Sequence, residues 1–425
     1  NPATAYEVRI CAYASNEKSD YTPVLTVKTR PEQVDIIDCE TFTGTGDGEW
    51  LINPTEDTTI TLDEVKDYKA VVMRSDANVT LDGQGSIGGQ ASLNKAGQGT
   101  LTVKTDQQYE GATVQHDGIY EFSSLKNGGE ASGLGKSQEF AQNWIMDGGT
   151  YRYTGGTTAT NRSAKLYNDT EFEIVGKSAI VTMNGSMEGS GNLVVGGQGQ
   201  LLVGSTNFFK YDGDLVVKGG EVKLKNKDVS DKGIGQASRL VMAGGKFTTI
   251  GKNEASVTYN FPIVAQAGTT STVEFDRWNV NKCSVSGTGT LQWGVCYLRE
   301  YIEGNWDNFT GQLVITKTGS YGDNRQFAVR NGAGIKNASI FMKSGTAING
   351  GKNASTYYLG GLSGEVGSKL SGFNVKAKGE GTWIVGTANT HETFRGVIDD
   401  NDQAGSHPGK TSITKQGSGD QRLTG

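Results

Sequence analysis

The chain reads as an all-β protein built as a solenoid of stacked strands, and three observations predict it. Glycine is abundant and proline scarce, 62 and 6 among 425 residues; glycine stands at about twice its usual share of roughly 7% with no Gly-X-Y period. Val, Thr, Ile and Tyr recur in short runs between Gly and Asn, the composition of short strands joined by tight turns. No window sustains a 3.6-residue apolar stripe. The nearest, "SQEFAQNWIM" at Ser137–Met146, reads better as the entrance to a strand than as a helix.

Charge and hydropathy exclude two function classes. The formal net charge is −6 and the pI about 5.4, so the basic footprint of a nucleic-acid binder is missing. No run of eighteen apolar residues offers a membrane-spanning helix. The first residues, "NPATAYEVRI", are not a signal peptide; they read as the middle of a domain, so a leader upstream is compatible with them.

Residues 1–30 alternate Tyr6, Val8, Ile10 and Ala12 against Glu7, Arg9, Cys11 and Tyr13, then continue into a second strand through Val24–Val27. Two strands do not make a stable module alone. The pattern over about Pro2–Thr29 resembles the last two strands of a fibronectin type III domain, with Tyr6 near the start of the penultimate strand. That resemblance implies that the chain is a portion of a larger, multidomain protein. Residues 31–48 are a linker, opened by Pro31 and closed by the Gly44–Gly48 turn cluster.

Residues 49–425 carry a repeating pattern, Gly-x-Gly-x-apolar followed by aromatic-x-Gly. Gly97-Gln98-Gly99 precedes Tyr109-Glu110-Gly111, and Gly197-Gln198-Gly199 precedes Tyr211-Asp212-Gly213. Gly287-Thr288-Gly289 precedes Phe309-Thr310-Gly311, and Gly379-Glu380-Gly381 precedes Phe394-Arg395-Gly396. Strand, Gly turn, strand, Gly turn is what a β-solenoid requires, each coil adding one strand to each of two or three parallel sheets. A dinucleotide-binding loop is excluded at Gly97–Gly99, because a strand, "TLTVKT", follows where a helix would open.

The segment Leu193–Leu224, "LVVGGQGQLLVGSTNFFKYDGDLVVKGGEVKL", closely resembles the autotransporter-associated β-strand repeat. The resemblance extends unevenly from about Ala91 to Gly425. It implies a right-handed parallel β-helix, secreted or at the surface of a bacterial cell. Copies spaced roughly 90–100 residues apart, wider than the usual period, and an apparent insertion at Trp293–Asn308 depart from the family pattern. At roughly 25 residues per coil and about 4.8 Å per strand, some fifteen coils predict a rod on the order of 70 Å long.

Candidate site residues are sparse. Flat aromatic rings suit sugar stacking, which nominates Tyr151, Tyr153, Trp293, Trp306, Tyr357 and Tyr358 for ligand binding, against the competing role of inward stacks in the solenoid. The acidic run Asp399-Asp400-Asn401-Asp402 suits Ca²⁺ through Asp399, Asp400 and Asp402, although a solvated loop is the commoner fate of such a run. Cys11, Cys39, Cys283 and Cys296 lack zinc-site spacing. Sequence proximity pairs Cys11 with Cys39 and Cys283 with Cys296, with buried thiols as the competing state. His116, His391 and His407 lie in polar surroundings with no nucleophile elbow nearby.

The functional expectation is a secreted or cell-surface scaffold, adhesin-like, presenting a lateral face to a glycan or a cell-surface protein. The competing expectation is a polysaccharide lyase or glycoside hydrolase with its site in loops near Cys283–Asn308 or Asp399–His407. Three carboxylates, or carboxylates with an Arg, in one groove would favour the enzyme. A face of Thr, Asn, Gly and isolated aromatics would favour the scaffold.

Overall fold

The structure is a computed structural model. It describes residues 37–225, 233–249, 257–275, 279–296, 299–319, 325–351, 356–372, 379–400 and 409–425, together with four short strands nearer the N-terminus. Of those four, Ala5–Val8 and Leu25–Lys28 pair antiparallel, with Tyr6 opposite Val27. An antiparallel pair is common to many folds and does not by itself identify a fibronectin type III domain.

From Glu49 onward the chain winds into a parallel β-solenoid of about 14 turns, a rod on the order of 65 Å at about 4.8 Å per turn. Sheet A has 8 strands, from Glu49–Ile52 to Phe209–Tyr211. Sheet B has 12, from Thr58–Leu62 to Asn308–Phe309. Sheet C has 14, with Thr158–Thr160 at one end and Gly409–Lys415 at the other. Sheet D has 7, from Val257–Tyr259 to Val397–Asp399, and takes the place in the coil that sheet A leaves after Tyr211. The only helix among the described residues is the single 3₁₀ turn Ala141–Asn143, which leads into strand Trp144–Met146.

Alternation along each strand sends every second residue inward, and parallel register stacks it on its counterpart one coil away. In sheet B one inward column runs Val79, Leu101, Tyr120, Tyr151, Phe172, Val195 and Val217. In sheet C another runs Val181, Leu201, Val222, Phe247, Val273, Trp293 and Ile315. All of these residues are buried in one continuous core. Aromatic rungs meet at 5.5 Å for Tyr120–Tyr151, 5.6 Å for Phe122–Tyr153 and 4.9 Å for Tyr357–Trp383.

The repeated motif has a direct physical reading. The aromatic of aromatic-x-Gly turns inward: Tyr109, Tyr211, Phe309 and Phe394 are all buried. The glycine that follows passes against the coil below, where a side chain would not fit. A Cβ on Gly111 would lie 2.3 Å from the Ala91 carbonyl oxygen, and one on Gly311 would lie 2.0 Å from that of Gly289. Turn side chains also cap the next coil. Asn78 Oδ1 accepts from the Thr100 amide at 3.0 Å, and Asn192 Oδ1 from the Asp214 amide at 2.6 Å.

The segment Trp293–Asn308 is corrected from an insertion to a regular coil. It runs from the sheet C strand Thr290–Val295 through the sheet D strand Arg299–Ile302 to the sheet B strand Asn308–Phe309. Its polar residues disguised the pattern, because Glu300 occupies an inward position with 2% exposure.

Past Phe309 sheet B ends, and the sheet C strands lengthen to Ile335–Met342 and Thr356–Gly364, with a register shift between Ile335 and Ser339. Sheet C then forks. Thr356–Leu359 pairs with Thr382–Val385, while Gly364 pairs with Phe394 of the strand Glu392–Phe394.

Candidate functional site

The aromatic residues nominated from sequence do not form an external surface. Tyr151, Trp293, Trp306 and Tyr357 are 0% exposed and Tyr153 is 2% exposed. Their rings fill the rod. Trp293 lies 5.2 Å from both Phe275 and Trp306, and Tyr151 Oη donates to the Ile145 carbonyl at 2.9 Å. The stacking role is therefore internal for these five, and only Tyr358 is partly exposed.

The acidic run is divided between two tasks. Asp399 Oδ2 pairs with Lys369 Nζ at 2.6 Å, and Asp400 Oδ1 accepts from the Thr411 amide at 2.9 Å. Asp402 and His407 lie outside the described residues. Among the described residues no group of three or more His, Cys, Asp or Glu side chains is arranged to hold a metal ion.

The pairing of Cys283 with Cys296 is corrected: Cys283 is a free thiol, fully buried. Cys296 Sγ instead donates to the Phe275 carbonyl at 3.3 Å. Cys39 is also a buried free thiol, hydrogen-bonded to the Ile37 carbonyl, and Cys11 lies outside the described residues. Burial pushes the Cys39 thiol up to about 11 and raises that of Cys283 further, so neither is a poised nucleophile. His116 Nδ1 meets Asp147 Oδ2 at 2.8 Å, and the exposed His391 meets Asp420 at 3.2 Å.

What remains is a surface that sequence reasoning did not single out, the outer face of sheet C. Here the outward residues align in register as Ile180, Gln200, Glu221, Lys246, Thr272, Gln292, Val314, Phe341 and Ser363. A neighbouring column runs Thr270, Thr290, Gln312, Ser339 and Gly361. The face thus mixes Thr, Gln, Ser and Gly with the charged Glu221 and Lys246, the aliphatic Ile180 and Val314, and the ring of Phe341. Among its charges, Lys246 Nζ lies 3.8 Å from Glu221 and 3.1 Å from Glu274.

Two clefts lined by described residues indent this face. One, of about 370 Å³, lies where Lys177–Ile180 and Gln198–Gln200 turn into the sheet. The other, of about 540 Å³, lies at the fork and is lined by Gln312, Phe341, Ser363, Gly364, Glu365, Val366, Glu392, Thr393 and Arg395. The fork makes it, because the strand Glu392–Phe394 departs from the main path beside the long strands.

Several fixed groups shape the fork cleft. Glu392 lies over Gly361, where a Cβ would come within 2.9 Å of its Cγ, and its Oε1 accepts from Ser339 Oγ at 2.8 Å. Glu365 accepts from Lys343 Nζ at 2.8 Å and from the Ser344 amide at 2.9 Å. These bonds, the one from Lys343 foremost, hold its carboxyl below the usual range. Lys343 Nζ sits 5.0 Å from the centroid of the Phe341 ring. Arg395 is exposed and makes no ion pair among the described residues.

A comparison with known proteins finds a relative. The chain is 29% identical over 238 residues to "Adhesin BmaC autotransporter" from Brucella suis biovar 1 (strain 1330). The match covers 48% of this chain and 6% of the relative, so it spans a small part of a much longer protein. No family model matches the chain, and no solved structure matches it. No helix among the described residues is long and apolar enough to cross a membrane.

Proposed function

We propose that this chain is a segment of a secreted or cell-surface bacterial scaffold of the adhesin type, which holds the outer face of sheet C against a glycan or a cell-surface protein. The observation that carries the reading is that face itself, a continuous register in which Gln, Thr and Ser alternate with the Glu221–Lys246 pair, Ile180, Val314 and Phe341. It is the pattern expected of a contact surface. Similarity to an autotransporter adhesin over nearly half of the chain supports the same reading.

The mechanism is mechanical and interfacial. Each coil buries its apolar side chains only against its neighbours, so the stacked core resists bending and holds the face as one continuous surface. On this reading the helix is right-handed, and the N-terminal strand pair belongs to a fibronectin type III module ahead of the rod. Ca²⁺ at Asp399, Asp400 and Asp402 is an accessory proposal, with Lys369 as the competing cation at Asp399.

A carbohydrate-cleaving enzyme is the second reading, and one observation favours it: Glu365, Glu392 and Arg395 line one cleft. A glycosidase acid must keep its proton near neutral pH, whereas Lys343 holds the Glu365 carboxyl in the opposite direction. Beads coated with the purified chain test the two readings. Adhesion to cultured epithelial cells, with no new reducing ends released from neutral or acidic polysaccharides, is expected. Absence of adhesion, or polysaccharide cleavage lost in Glu392→Gln, would overturn the adhesin reading.

A further inference from the structure

The fork cleft has a composition that specifies its occupant more closely. Phe341 stands outward between Val314 and Ser363, only partly covered, and supplies an apolar platform in a polar depression. Around it are an amide at Gln312, hydroxyls at Ser363 and Thr393, a carboxylate at Glu392 and a guanidinium at Arg395. The volume, about 540 Å³, falls in the range of small-ligand sites, roughly 300–1,000 Å³.

Two of the polar groups, Ser363 and Glu392, are held in place before any ligand arrives. Ser363 Oγ donates to the Ile340 carbonyl at 3.0 Å, which leaves its lone pairs to accept. Glu392 is fixed through one oxygen by Ser339, which leaves the other to accept. Such fixed groups lose little side-chain freedom on binding.

The charges cancel within the cleft. Lys343 neutralises Glu365, and Glu392 balances Arg395. An anionic ligand would meet two carboxylates, and a cationic one would meet Arg395 and Lys343. A neutral ligand with an apolar face and a rim of groups that both donate and accept hydrogen bonds satisfies every element. A pyranose ring has that character: its C–H face lies on an aromatic ring, and its hydroxyls reach amide, carboxylate and guanidinium groups.

We infer that the fork cleft binds a neutral hexose unit of a glycan, with the sugar ring on Phe341 and its hydroxyls held by Gln312, Glu392 and Arg395. The inference rests on the adhesin reading and names the ligand class and the residues for it.

The test is a titration of the purified chain with lactose, cellobiose and mannobiose, followed by saturation-transfer NMR. Sialyllactose and a chitosan dimer serve as charged comparators. At least one neutral disaccharide should bind, and Arg395→Ala and Gln312→Ala, both at exposed positions, should weaken it at least tenfold. Phe341→Leu, which keeps the apolar packing, should abolish the transfer signal while circular dichroism stays unchanged. Binding of the charged sugars alone, no binding of any neutral disaccharide, or equal binding by the three variants would each overturn the inference. Cell adhesion that persists after periodate destruction of surface glycans would overturn it too, while leaving the adhesin reading intact.

Discussion

The indole nitrogen of Trp293 donates to the carboxylate of Glu300 at 2.8 Å, and both side chains are sealed inside the rod. Burial pushes the Glu300 carboxyl up to about 8 from an ordinary 4.5, against the opposing hydrogen bonds of Trp293 and Asn281. Between those two values the folded chain keeps a proton that the unfolded chain has lost. The Glu300 contribution to stability is therefore complete below about pH 4.5, declines as pH rises, and is lost above about pH 8. Denaturant melts at pH 5, 6.5 and 8.5 check this against Glu300→Gln, whose amide has no such titration. Relative to the variant, the wild type should lose roughly 2–5 kcal/mol across the range. A difference that stays constant with pH would contradict the assignment.

Close approach between coils makes some glycines irreplaceable and others free. Gly311→Ala places a methyl 2.0 Å from the Gly289 carbonyl oxygen, whereas a Cβ on Gly156 has nothing within 4 Å. Gly311→Ala should cost roughly 2–4 kcal/mol and Gly156→Ala less than about 0.5 kcal/mol. Thermal melts of the two variants side by side make the comparison.

Internal aromatic rungs set the strength of the C-terminal coils. Trp383 stacks on Tyr357 with ring centres 4.9 Å apart, and its indole nitrogen donates to the Ser371 carbonyl at 3.0 Å. Trp383→Ala should cost about 3–5 kcal/mol. Because a solenoid is coupled mainly between neighbouring coils, hydrogen exchange should quicken first in Thr356–Gly364 and Gly379–Val385, with Thr100–Val103 unaffected.

Buried thiols make a chemical test of the same core. In the native chain Cys283 should resist a thiol reagent until unfolding, with Cys39 slow to react. Alkylation in denaturant without reductant, followed by intact mass, should then find both thiols modified. A mass showing either one blocked by a disulfide would contradict the free-thiol assignment.

How much of this was legible in the sequence depends on which side of the strand carried the signal. Inward positions repeat the same requirement in every coil, so Tyr109, Tyr211, Phe309 and Phe394, each followed two residues later by Gly, announced the solenoid. The coil Trp293–Asn308 escaped because Glu300 occupies an inward position where an apolar residue is expected. Tyr151, Trp293 and Trp383 carry no mark that separates an inward ring from an outward one; only register does. The fork cleft was invisible for the same reason. Phe341 is far in the chain from Glu392 and Arg395, and the departure of Glu392–Phe394 from the main path of sheet C brings them together.

The central claim, that the rod works through the outer face of sheet C, is tested most directly by hydrogen–deuterium exchange on the chain bound to epithelial-cell membranes. The account predicts added protection in Ile335–Met342, Thr356–Gly364 and Glu392–Phe394, with the outward valines of sheet B, Val194, Val216 and Val241, unchanged. Protection confined to sheet B, or none anywhere on the rod, would contradict it.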